Sequence, residues 1–155
     1  MVTPLKQQRG VVYLWMLFLV FLLSLGLGKT LEVYSTSVQR EKEAELLYVG
    51  TLYRNAIKQF YLSSPGSVKK YPASLSDLLK DPRSLTTRRY LRQLYPDPLT
   101  GTAFVEVMAP QGGIWGVRST LDKKPLKEAG FDDIYFAFTH ADSYQKWQFV
   151  YAGGM

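Results

Sequence analysis

The chain has 155 residues, a formal net charge of +6 and no cysteine, so it holds at most one ordinary globular domain plus a short accessory segment, without disulfides or thiolate metal sites. Mean hydropathy is −0.10, an average that hides a segregation: apolar residues crowd the N-terminus, and the sequence after Lys29 reads as ordinary soluble protein. The basic balance suits an anionic lipid, nucleic acid or acidic partner and carries no information about fold.

Residues 1–10 form a basic leader in which Lys6 and Arg9 carry the charge. Residues 11–28 are then almost unbroken apolar sequence, with Ser24 the conventional polar residue beside the Tyr13 hydroxyl. A bilayer core takes roughly 20 apolar residues in helix. Continued through Thr30 and Leu31, with Lys29 snorkelling, the run predicts a transmembrane helix over 11–31. Lys6 and Arg9 place the N-terminus in the cytoplasm. The expectation is a single-pass protein of a bacterial inner membrane with its head periplasmic or extracellular. A cleaved secretory signal would have an apolar region of roughly 7–15 residues and a small-x-small site, which Lys29-Thr30-Leu31-Glu32 lacks.

No Gly or Pro separates that run from residues 32–62, where Leu46, Val49, Tyr53, Ala56, Ile57 and Phe60 recur at helical spacing. The pattern predicts an amphipathic continuation of the same helix, with charges such as Arg54 and Lys58 opposite the stripe. Gly50 is its weak position, and Pro65-Gly66 ends it.

Residues 63–155 read as a globular head. Ser74-x-x-Asp77 resembles a capping box and predicts a short helix over 75–80, closed by Asp81-Pro82. A second short helix is expected over 87–94, then a turn at Asp97-Pro98-Leu99-Thr100-Gly101. Residues 103–108 and 114–119 read as a hairpin about Gln111-Gly112-Gly113. Residues 122–130 form a Lys-rich loop, 132–141 are helix or irregular, and 146–151 are a last strand. The fold class is α+β: a long N-terminal helix, its first half transmembrane, packed on a small three- to four-stranded antiparallel sheet.

A basic leader ending in Gly10, an apolar helix from Val11 and a helical continuation into a small head resemble the type II secretion pseudopilins and type IV pilins. The stretch Tyr71-Pro72-Ala73-Ser74-Leu75-Ser76-Asp77-Leu78-Leu79 resembles the family segment after the long helix. Residues 90–101, with Asp97-Pro98 and Gly101, are similar to its stretch leading into the sheet. The resemblance implies cleavage by a prepilin peptidase between Gly10 and Val11, methylation of the new N-terminus, and assembly with other pseudopilins or pilins on an inner-membrane platform. Val11 stands where the family usually has Phe, and Trp15 where it usually has Glu. Trp15 cannot neutralise a neighbour's amine, so these departures favour a minor or atypical member over a main filament subunit.

No nucleophile, metal or phosphate-loop motif occurs, and His140 is the single histidine, so the sequence makes no case for an enzyme or a cofactor. By resemblance a late loop could bind calcium through Asp122, Asp132, Asp133 or Asp142, but no ordered Asp-x-Asp run is present and solvated carboxylates are the plainer reading. Arg83, Arg88, Arg89 and Arg92, with Lys69 and Lys70 and interleaved tyrosines, form a basic patch. It is read first as a solvated or partner-contacting face and second as a nucleic-acid surface of a DNA-receptor pilin. An uncleaved, signal-anchored scaffold protein is the remaining alternative.

Overall fold

The structure, a computed structural model, describes residues 8–153, and the side chains of 1–9 and 25–33 lie outside the description. The chain divides into two units, residues 1–38 and 39–155, and helix α1 (Gln8–Leu62) has residues in both.

In the first unit every large apolar side chain from Val11 to Leu23 is exposed, none less than 49 %. Ser24 Oγ donates to Val20 O (2.9 Å), so the serine hydroxyl of this run is satisfied by its own helix. The transmembrane assignment is corrected here. Among the described residues no helix is long and apolar enough to cross a membrane. The apolar stretch described with its side chains is a 15-residue helix. At about 1.5 Å per residue that is roughly 22 Å, short of a hydrocarbon core of about 30 Å. The expected transmembrane first half, and the inner-membrane localisation that rested on it, do not hold. Lys29, Thr30 and Leu31, on which the longer span depended, lie among the residues whose side chains are not described.

The second unit is α+β. Leu46, Val49, Tyr53, Ala56, Ile57 and Phe60 of α1 are all buried. They cover one face of a three-stranded antiparallel sheet of order β1-β2-β3, formed by β1 (Val105–Met108), β2 (Ile114–Arg118) and β3 (Gln148–Val150). In register, Val105 pairs with Arg118 and Val117 with Phe149, and the β1–β2 ladder is bulged between Val107 and Met108. Gly50 is more than a weak helix position, because a Cβ there would overlap the Phe149 ring. Its missing side chain lets β3 lie close against α1, which offsets the helix-propensity loss. Arg54 does not sit opposite the stripe: its Nε donates to Val150 O (3.0 Å) beside the β3 edge.

A layer of rings fills the core. Phe138 stacks on Trp147 (5.4 Å between centroids), Phe131 meets Trp147 edge-on (5.3 Å), and Phe149 meets Phe138 edge-on (5.2 Å). Phe138 ends one 3₁₀ segment (Asp133–Phe138), and Trp147 caps the C-terminus of another (Tyr144–Lys146). The expected helix over 75–80 is likewise a 3₁₀ turn (Leu75–Leu78), and its Ser74–Asp77 box forms: the Asp77 carboxylate accepts from Ser74 N–H (3.1 Å) and Ala73 N–H (3.0 Å). Residues 87–94 are not helical. Tyr90 N–H and Leu91 N–H both donate to Leu78 O (2.8 and 3.0 Å), so donors that an α-helix would use internally tie this segment to the 3₁₀ turn.

Candidate functional surfaces

The polar architecture of the head starts at the C-terminal end of α1, where the last carbonyls have no helical partner. Arg83 Nη2 donates to Phe60 O (2.9 Å) and Nη1 to Ser64 Oγ (2.6 Å), with the guanidinium carbon 3.5 Å from the centre of the Phe60 ring. The same guanidinium forks onto buried Asp81 through Nε–Oδ1 and Nη2–Oδ2, both 2.9 Å. Tyr90 Oη also donates to Asp81 Oδ2 (2.9 Å). The Arg83 hydrogen bonds, outweighing burial, hold the Asp81 carboxyl down at about 2. Lys69 Nζ completes the cap on Leu62 O and Ser64 O, 3.1 Å each.

This geometry divides the four arginines of the sequence patch. Arg83 is spent on the helix end and leaves the patch. Arg88, Arg89 and Arg92 are exposed, and none makes an ion pair among the described residues. The segment between them and Asp81 closes on itself, with Asp81 N–H donating to Arg88 O (3.1 Å), and it carries a fully exposed Leu85.

A second polar cluster lies where α1 meets the 122–130 loop. Glu43 is buried, and its Oε1 accepts from Leu126 N–H and from Tyr144 Oη, both at 2.5 Å. Gln39 Nε2 donates to Tyr144 Oη (2.9 Å), and Lys123 Nζ donates to Gln39 Oε1 (2.8 Å). Burial first, and the Glu43 carboxylate second, push the Tyr144 phenol well above its ordinary value. Beside the cluster opens a groove of about 430 Å³ lined by Arg40, Glu43, Ala44, Leu47, Leu126 and residues 127–129. The sequence expectation set the charges of this helix opposite the apolar stripe and did not single out Glu43. Its spacing did carry a signal, since it lies three residues before Leu46 on the same helical stripe.

The third cluster pins the turn at Asp97. Leu99 N–H donates to Asp97 Oδ1 (2.9 Å) and Ser119 Oγ to Asp97 Oδ2 (2.5 Å), with both side chains fully buried at the end of β2. It is a structural staple without an opening to solvent.

The remaining sequence candidates do not converge. His140 is exposed in the left-handed region (φ 54°), its N–H donates to Glu128 O (3.0 Å), and Nδ1 lies 3.9 Å from Glu128 Oε2. Asp142 pairs with Lys146 (2.5 Å), and among the described residues no group of three or more His, Asp or Glu is placed to hold a metal. Gly10 and Val11 are exposed and helical, Lys6 lies outside the described residues, and so does the Arg9 side chain. Comparison with family models, with characterised proteins and with solved structures finds no match.

Proposed function

We propose that this chain is a pseudopilin-like structural subunit of a type II secretion or type IV pilus-like machine, processed after Gly10 and assembled through its N-terminal helix. The observation that supports the reading is the condition of that helix, which exposes large apolar side chains from Val11 to Leu23. A helix apolar on every side needs cover. The same helix in neighbouring copies can supply it by ridge-and-groove packing. The head contributes a rigid α+β body, and the subunit acts by packing rather than by catalysis.

Two measurements test this. Intact mass of the chain produced with an active prepilin peptidase should show loss of residues 1–10 and gain of one methyl; an unchanged mass would remove the processing. Sedimentation of the full chain should show concentration-dependent association that Leu19→Glu abolishes. A monomer at every concentration would remove the assembly.

A further inference from the structure

We infer that Leu85 and its flanking arginines dock into the Glu43 groove of a second copy of this chain, an inference that rests on the assembly reading above. The loop that carries Leu85 is firmly built at its base. Asp81 N–H closes it onto Arg88 O, and Arg83 clamps Asp81 through two hydrogen bonds while holding the end of α1. Its tip is the reverse: Leu85 is fully exposed, and Arg88 and Arg89 beside it are exposed without an ion pair among the described residues. Tight loops usually carry Gly, Pro, Asn, Asp or Ser at such positions, for reasons of turn geometry. A leucine displayed on a clamped loop, with the exposed guanidinium groups of Arg88 and Arg89 following it in the chain, has the composition of an interface anchor, an apolar centre with a charged rim.

The complement is on the same molecule. The groove has apolar walls at Leu47 and Leu126, and about 430 Å³ is ample for a leucine side chain. Two carboxylates line it. Glu43 uses Oε1 for both of its hydrogen bonds, and Oε2 takes none among the described residues, although the side chain is buried. Glu128 accepts Lys124 Nζ at 2.6 Å on a solvent-facing side. Arg40 and Lys127, the latter over the Phe131 ring (4.7 Å), also line the groove, and Glu128 is already paired with Lys124, so the charge fit rests on Glu43. An arginine from a neighbour reaching Glu43 Oε2 would complete a buried carboxylate with a charge-assisted bond. Because knob and groove are different surfaces, the contact is heterologous and can propagate from copy to copy, as a polymerising subunit requires.

The natural chain has no cysteine, so single-cysteine variants of the full chain report the contact cleanly. Oxidising a mixture of L85C and A129C chains should give a cross-linked dimer that neither variant gives alone. Independently, L85D should weaken association about tenfold with unchanged circular dichroism, and R88E/R89E should weaken it most at low salt. A helix reporter, L19C, separates the two readings. If L19C cross-links while the 85–129 pair does not and L85D associates like the parent, the docking is overturned and the assembly stands. If nothing cross-links and the chain sediments as a monomer, the assembly fails and the docking with it. Retention on duplex DNA that R88E/R89E abolishes, with self-association untouched, would overturn the docking in favour of a nucleic-acid surface.

Discussion

Helix α1 carries two kinds of apolar surface. Between Leu46 and Phe60 a stripe of apolar residues, Leu46, Val49, Tyr53, Ala56, Ile57 and Phe60, is buried against the sheet and the ring layer, while Tyr48 off the stripe is exposed. Between Val11 and Leu23 they keep to no stripe, and all are exposed. The first pattern marks surface that the chain covers for itself, since a helix with one apolar face needs one partner. The second marks surface that a single copy leaves uncovered. Periodicity thus distinguishes apolar surface that the chain covers for itself from apolar surface that it leaves exposed.

The comparison breaks most visibly at the rings. Phe149→Ala removes the side chain that faces Gly50, Tyr135 and Phe138, and should cost about 3–5 kcal/mol in urea unfolding of the head. Phe18→Ala removes a ring of the same size from the N-terminal stretch. It should leave that midpoint within about 0.5 kcal/mol and weaken association instead. Equal losses of head stability from the two changes would erase the distinction.

The next effect concerns the polar clamp at the end of the folding surface. Arg83→Met keeps much of the packing on Phe60 but leaves buried Asp81 without its cation, and should destabilise the head by about 3 kcal/mol. The same pair predicts an acid limb. The Asp81 carboxyl is held at about 2 against an ordinary 3.8. Its contribution, about 2 kcal/mol, is therefore complete above about pH 4 and is lost as pH falls toward 2. Unfolding midpoints measured across that window should fall for the parent and fall less for Asp81→Asn, which starts lower. An identical slope in both proteins would remove Asp81 as the cause.

These residues also show what the sequence could and could not disclose. The stripe from Leu46 to Phe60 was legible because burial on one helix face imposes a period that survives in the residue order. The hairpin was legible because Gly112 and Gly113 adopt positive φ (90° and 82°), which few other residues tolerate. Residues 87–94 misled because their donors go to Leu78 O, a partner distant in the chain that local propensity does not encode. Arg83 was placed in a surface patch for a related reason: its role is set by the Phe60 carbonyl, 23 residues away. Within the Glu43 cluster, the helix spacing was readable, but the loop that delivers Leu126 N–H and the turn that delivers Tyr144 were not.

The smallest effect tests a local motif that sequence and structure share. Asp77 receives the N–H groups of Ala73 and Ser74 on a single oxygen, at 3.0 and 3.1 Å, and so fixes the entry to the Leu75–Leu78 turn. That turn presents Leu78, which is fully buried, and its carbonyl, which holds residues 90 and 91. Asp77→Ala should cost about 1 kcal/mol, toward the low end for a cap because the Ala73 bond is exposed and water can replace part of it. Asp77→Asn keeps an acceptor oxygen and should recover most of that loss. If Asp77→Ala instead cost as much as Phe149→Ala, the 3₁₀ turn would belong to the cooperative core rather than to its rim. The folding surface of α1 would then extend its control through Leu78 into the Leu85 loop.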